Sequence, residues 1–293
     1  MSKRGLFVGL LTLDWLYLAT KVPDRNEKLV ALDYAMAAGG PATNAAVAFS
    51  HLGSSATLLA ALGQHPICTL VQADLQTCGV NLTDLTPDRT SPLPTSSIIV
   101  TQATGERAVI SINAAKSQVP ATAIRQVSLQ DIDIVLIDGH QMQVGQAIAD
   151  RAKALNIPVV VDGGSWKPGF EQVLPYADYA ICSANFHPPG CQTWEETLQY
   201  LQGLQIPYIA ITQGDRPIHL ATPERTGQIP IPYTRSVDTL GAGDIFHGAF
   251  CHYIERSNFE QALAQAATVA AHSCESFGTR EWMKSPINEC EAK

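Results

Sequence analysis

The stretch Asp238–Phe250, DTLGAGDIFHGAF, sets small residues and a carboxylate immediately before an apolar helical segment. The first turn of a helix has backbone N–H groups without intrahelical partners and carries the positive end of the helix dipole, so an anion held there satisfies both. Gly241, Ala242 and Gly243 keep side chains out of that spot, and Asp244 points a base into it. Phosphoryl transfer to a hydroxyl needs this combination: donors for the moving charge and an acceptor for the attacking hydroxyl's proton. Spacing excludes two familiar phosphate motifs. A dinucleotide fingerprint requires a third Gly or Ala three positions after Gly243, where Phe246 stands, and no Gly-x-x-x-x-Gly-Lys-Ser/Thr occurs in the chain. Taken alone, the run also reads as a Gly-rich turn capped by Asp.

Outward from that motif, short β-rich runs alternate with helical ones. LFVGLLTLD, ATLLAALG, DIVLIDG, PVVVDGG, YAICSAN and YIAITQGD read as strands. ATNAAVAFSHLG, TLVQADLQTCG, QVGQAIADRAKALN and TWEETLQYLQGLQ read as helices. Apolar strands buried on both faces and separated by amphipathic helices predict a three-layer α/β/α fold with a mostly parallel central sheet. At 293 residues the chain suits one such domain over 1–293 as well as two small ones. Residues 15–38 and 92–113 break the rhythm as alternating strands, the second with a hairpin turn at Gly105. No internal repeat, low-complexity tract or linker stands out.

Charge and cysteine usage narrow the class. The net charge is −8, from 19 basic and 27 acidic residues, with no basic cluster beyond Lys3-Arg4, which disfavours nucleic acid as a partner. No apolar run reaches about 18 residues, the length of a membrane span. Asp14 interrupts the N-terminal apolar stretch, which reads as a first strand rather than a signal peptide. The seven cysteines, Cys68, Cys78, Cys182, Cys191, Cys251, Cys274 and Cys290, contain no C-x-x-C pair and suit reduced thiols of a cytoplasmic protein. His140, His187, His247 and His272 are scattered without metal-ligand spacing, so each reads as a single structural or surface residue and no protein metal site is expected.

DTLGAGDIFHGAF closely resembles the C-terminal signature of the ribokinase-like, or PfkB, family of carbohydrate kinases. A second stretch, GGPATNAAVAFSHLG (Gly39–Gly53), is similar to that family's N-terminal Gly-Gly signature. Both lie in the family's order, with matching segments between, so the resemblance covers nearly the whole chain. It implies ATP and Mg2+ as partners of a small sugar substrate, and strands 15–38 and 92–113 as a small lid on the main domain. An antiparallel lid with one polar and one apolar face either covers the substrate or pairs with a second subunit as a homodimer.

The residues then take roles. Asp244 is the expected general base, with Gly241, Ala242 and Gly243 as the anion hole. Asp14 follows LFVGLLTL at what reads as the carboxyl end of the first strand, where open α/β sheets place ligands; in the resembling family the matching Asp accepts sugar hydroxyls. Gly39 and Gly40 let the chain turn tightly against a ligand, and Asn44 offers a donor and an acceptor to a vicinal diol. Arg107, in the hairpin, reaches the substrate or its incoming phosphate in similar sugar kinases. Thr212, Gly214, Thr239, Gly241, Gly243, Ala270, Ala271 and Gly278 match positions that line the nucleotide pocket in family members, although the Ala-rich stretch also reads as a packed helix. Asp238 matches a loop that in many relatives helps to build a monovalent-cation site, K+ being the candidate.

The chain departs from the family pattern once. Many members carry Asn-x-x-Glu after a strand like YAICSAN, whereas here Ser183-Ala184-Asn185-Phe186 puts an apolar ring in the Glu position. That leaves magnesium to the ATP phosphates and water. Two rivals stay open: a nucleoside kinase of the same fold, with Trp15, Tyr17 and Tyr34 as an aromatic wall for the base, and a sugar-binding regulator with a decayed active site.

Overall fold

The computed structural model describes residues 2–112, 114 and 117–287. In chain order the first elements are β1 (Arg4–Val8), β2 (Thr12–Ala19), β3 (Asp33–Gly39), α1 (Pro41–His51), β4 (Ser55–Ala60), α2 (Cys68–Thr77) and β5 (Val80–Asp84). Then come β6 (Thr95–Thr101), β7 (Arg107–Ser111), β8 (Ile134–Ile137), α3 (Met142–Ala154), β9 (Val159–Gly163), α4 (Phe170–Val173), β10 (Tyr179–Ser183) and α5 (Trp194–Gly203). The last are β11 (Tyr208–Gln213), β12 (Arg216–Ala221), β13 (Thr226–Ile229), α6 (Ala242–Tyr253) and α7 (Phe259–Ser273).

The main sheet has nine strands in the order β13-β12-β11-β10-β9-β8-β1-β4-β5. From β5 to β11 neighbouring strands run parallel, and β12 and β13 close one edge as antiparallel strands. Alternation along β1 shows why both faces are covered. Phe7 packs with Leu58, Leu136, Val160 and Ile181 against α1, α6 and α7, while Leu6 and Val8 pack with Val135, Val159 and Ile209 against α3 and α5. The result is the three-layer α/β/α fold expected from the sequence.

The chain winds from β1 out to β4 and β5, then restarts at β8 on the other side of β1. The crevice beyond the carboxyl ends of β1 and β8 is therefore the topological switch point, the place where open α/β sheets take ligands.

A second sheet of four strands, β3-β2-β6-β7, contains the strands expected in 15–38 and 92–113; residue 113 lies outside the described residues. Its face bearing Leu16, Ile98 and Val100 packs on Leu240, within the DTLGAGD region, and on Phe277, after α7. The small sheet thus leans over the switch point.

One sequence expectation needs correction. LFVGLLTLD is not a single strand ending at Asp14: β1 stops at Val8, the chain leaves the main sheet at Gly9-Leu10-Leu11, and Asp14 is the third residue of β2 in the lid. The Leu10 N–H donates to the Asp138 carboxylate instead of to a strand (2.8 Å), which turns the chain out of the sheet. Leu10 and Leu11 are buried at this crossover, so no polar residue marked it in the sequence.

Candidate active site

The first turn of α6 presents backbone N–H groups that no side chain caps. Gly241, its N-cap, sits at a φ of 73° and makes no side-chain capping hydrogen bond, so the leading N–H groups have no side-chain acceptor. A Cβ on Gly243 would meet nothing within 4 Å, so the space before that turn is open. Gly241 is closely surrounded: a Cβ there would lie 3.0 Å from Thr279 Cγ2 and 3.4 Å from Asn44 Nδ2, in a backbone region that favours glycine.

Asp244 lies in the same turn, and Asn44 Nδ2 on α1 donates to its Oδ2 (2.9 Å). Helices α1 and α6 come this close because residue 248 is glycine, where a Cβ would sit 2.1 Å from the Ala45 carbonyl oxygen. Burial, with the nearby Asp162 charge adding to it, pushes the Asp244 carboxyl up to about 7, against the hydrogen bond from Asn44 and the charge of His247. A buried carboxylate with that affinity is a far better proton acceptor than a solvated one.

Asn44 is less free than the sequence suggested. Its other amide atom, Oδ1, accepts from Arg280 Nη1 (3.1 Å), and Arg280 also donates to the Ala38 carbonyl (2.6 Å) and to Asp74 Oδ2 (3.1 Å). One guanidinium fork therefore ties the end of β3, α2 and the segment after α7 to the amide that faces Asp244. Sequence reasoning missed Arg280; the available signal was a cation two residues past Gly278, in Gly278-Thr279-Arg280.

On the lid side, Asp14 is 8% exposed, and Thr12 Oγ1 donates to its Oδ1 (2.6 Å). Burial raises its carboxyl above the usual range, opposed by hydrogen bonds from Thr12 and Ser96 and by the charge of Arg280. A Cβ on Gly39 would fall 1.9 Å from Asp14 Oδ2, so Gly39 is the gap into which that carboxylate fits. Gly40, at a φ of 102°, caps α1, and a Cβ there would strike the Leu10 carbonyl oxygen at 2.3 Å. Asp138, after β8, accepts from the N–H groups of Leu10 and Ala42 through one oxygen (2.8 and 3.0 Å), binding the end of β1 to the start of α1. Burial works upward on Asp138, but His140 and those N–H donors hold its carboxyl below the ordinary value.

Arg107, at the start of β7, donates to the Thr239 carbonyl (3.0 Å) and Oγ1 (3.1 Å). The lid hairpin thus docks, through Arg107, on the loop that leads into α6. Asp238 in that loop accepts from the N–H groups of Leu240 and Gly278 (both 2.9 Å), and its own N–H and that of Val237 bond to the Cys274 carbonyl at the end of α7. Gly278 and the last turn of α7, with Ala270 and Ala271 half-buried, are joined to Thr239 and Gly241 in this way.

Thr212 and Gly214 lie apart from that cluster, at the end of β11 and in the two-residue turn into β12, where Gly214 has a φ of 67°. They line a cavity of about 680 Å³ with Ser183, Asn185 and Arg216 beyond the ends of β10 and β11. Phe186, in the family's Glu position, is fully buried and packs edge-on against Phe170 (ring centroids 4.9 Å), so that position here serves the core. Among the described residues no group of three or more His, Cys, Asp or Glu is arranged to hold a metal ion.

An open helix N-terminus beside a buried carboxylate, under a small lid sheet, is an arrangement that suits an enzyme moving a phosphoryl group onto an alcohol. Comparison with known proteins identifies which one by family. Residues 4–286 match the profile described as pfkB family carbohydrate kinase, and the chain belongs to that family. It is 25% identical over 291 residues to the ribokinase of Bacillus subtilis (strain 168), covering 97% of each chain. It is also 25% identical over 292 residues to the ketohexokinase of Mus musculus, covering 93% of this chain and 96% of that one. The Arabidopsis thaliana ribokinase solved with ribose and ATP superposes with a TM-score of 0.75 at 20% identity, covering 98% of this chain and all of that one (100%).

Proposed function

We propose that the chain, as one catalytic unit over 1–293, transfers the γ-phosphoryl group of ATP to a hydroxyl of a small, uncharged sugar. The observation that carries this reading is Asp244, a buried carboxylate in the same helical turn as an open set of backbone N–H donors. In it, Asp244 takes the proton of the attacking hydroxyl, and the N–H groups at Gly241–Asp244 meet the charge on the transferred group. Asp14 accepts sugar hydroxyls from the lid, with Gly39 leaving room for its carboxylate and Gly40 for the close passage of the Leu10 carbonyl behind it. Asn44 holds Asp244 and presents the edge of its amide to the sugar. Arg107 closes the lid onto Thr239, excluding water. ATP lies across Thr239, Gly278, Ala270 and Ala271 toward Thr212 and Gly214. ATP supplies the phosphoryl donor, and Mg2+, carried by its phosphates and by water, neutralises their charge. K+ beside Asp238 is part of the same reading.

An uncharged acceptor is favoured because Asp14, Asp138, Asp162 and Asp244 surround the crevice while Arg107 and Arg280 are engaged by protein oxygens. Two relatives, a ribokinase and a ketohexokinase, carry names that agree with that class. The aromatic wall of a nucleoside site finds no support: Trp15 and Tyr17 alternate with Asp14 and Leu16 along β2 and so lie on the opposite face of the lid.

That opposite face supports a homodimer through the lid. Tyr17 pairs with Tyr34, and Met36, Trp15, Ser97 and Ile110 form a row across the four strands, with Tyr34 65% and Ile110 78% exposed. Six cysteines are free among the described residues, which supports a reducing, cytoplasmic setting.

The test is ADP release from magnesium-ATP over a panel of aldoses, ketoses, sugar acids, sugar phosphates and nucleosides, with Asp244→Asn beside the wild type. Turnover with an uncharged sugar that is lost in the variant supports the proposal. Turnover confined to nucleosides, or thermal stabilisation by a sugar without any turnover, overturns it.

A further inference from the structure

His247 reads in the sequence as one of several isolated histidines. It is instead 5% exposed beneath the first turn of α6, and each ring nitrogen faces a main-chain carbonyl oxygen. Nδ1 lies 2.7 Å from the Gly243 oxygen and Nε2 3.1 Å from the Ile181 oxygen on β10. A carbonyl only accepts, so both contacts are hydrogen bonds only when both ring nitrogens carry protons. A neutral ring would set a nitrogen lone pair against an oxygen lone pair on one side. A carboxyl that can answer the charge stands alongside: Asp162 Oδ2, on β9, lies 3.6 Å from Nδ1 and is equally buried; burial raises that carboxyl, and a charge on His247 works to lower it. The other charged and titratable groups around this pair are Asp138 and His140 after β8, Lys167 after β9, Cys182 on β10, and Asp244 and Cys251 on α6 itself.

The Gly243 carbonyl and the Asp244 N–H belong to one peptide group. A hydrogen bond from a cation to that oxygen draws electron density from the N–H and strengthens it as a donor. We infer that His247 is a positioning residue, a buried imidazolium that polarises the Asp244 N–H through the Gly243 carbonyl and pins the anion-binding turn to β10. This rests on the reading that the turn receives the transferred phosphoryl group. The cation also favours the ionised form of Asp244, so it readies donor and base together.

The charge is tested on the wild-type protein labelled with 15N-histidine, at neutral pH and without turnover, so its outcome is separate from that of the kinase assay. The His247 signals are assigned by their loss in His247→Gln, or by their shift in Asp162→Asn if the first variant does not fold. Both ring nitrogens are expected at shifts of protonated nitrogen, and one at the shift of a bare nitrogen overturns the inference. With the best sugar of the panel, His247→Gln is expected to lower kcat on the order of tenfold, less than the loss of a whole oxyanion donor. Sugar KM should stay within about twofold, as for an interaction made only in the transition state. The acid limb of its pH profile moves to higher pH, because Asp244 loses a neighbouring cation. A fall in kcat with an unmoved acid limb marks a packing role and overturns the assignment.

Discussion

At the residue scale the protein is organised around one displaced acid. Asp244 in the fold holds its proton up to about 7, whereas in the unfolded chain it releases it near 3.9. If the ionised form is the base, kcat/KM rises with pH and levels off above about 7, which a pH–rate series measures directly. The same displacement acts on stability with the opposite sense. The folded state binds that proton more tightly than the unfolded state, so this contribution is fully present below about 4 and is lost as pH rises to about 7. At pH 8 the wild type therefore bears the cost of a buried charge that Asp244→Asn does not. The variant is expected to lose on the order of 100-fold or more in kcat and yet to melt a few degrees higher at pH 8, with the gap closing at pH 5. Equal melting temperatures at pH 8 would show the carboxylate to be better solvated than its position indicates. Arg280 makes a second case. Arg280→Lys keeps the charge but cannot span Asn44, Ala38 and Asp74, and is expected to lower kcat on the order of tenfold. Combined with Asn44→Ala it should cost little more than Asn44→Ala alone, because the two act in series on Asp244.

Between elements, the site depends on how closely two helices approach. The Asn44–Asp244 hydrogen bond joins α1 to α6, and Gly248 permits it by letting α6 rest on the Ala45 carbonyl. Gly248→Ala is expected to cost about 1–3 kcal/mol in a denaturant titration and to reduce kcat further by widening the Asn44–Asp244 distance. Loss of stability without loss of kcat would mean that the helices separate elsewhere. The lid obeys a different rule. Leu16, Ile98 and Val100 cover Leu240 and Phe277, so the face that closes the site is apolar at its core, with Asp14 and Arg107 as the polar groups at its ends.

For the molecule as a whole, the proposed homodimer would form through the outer lid face. Ile110 lies on the edge strand β7 and is 78% exposed, in one row with Met36 and Trp15. Ile110→Glu is expected to leave the monomer folded and to shift sedimentation from dimer to monomer, a charge being poorly tolerated in an apolar contact between copies. An unchanged sedimentation coefficient in the variant would move the interface away from the lid.

The sequence by itself determined the layer architecture, the two lid segments and the helix turn at Gly241–Asp244, because strand alternation, glycine at a positive φ and an uncapped helix start are local properties with local signals. It also singled out Asp14 and Asn44, although it placed Asp14 at the end of β1 when the chain had already crossed into the lid. Only the tertiary structure decided what those residues touch. Arg280 meets Asn44 across 236 positions of chain, and His247 meets Ile181 across 66. A hydrogen bond between distant segments leaves no periodicity in either one. The same holds for Phe186, whose apolar side chain looked like a missing magnesium contact until the core around Phe170 gave it a place. Burial pushes the Asp244 carboxyl up to about 7, and burial is set by everything packed around a residue.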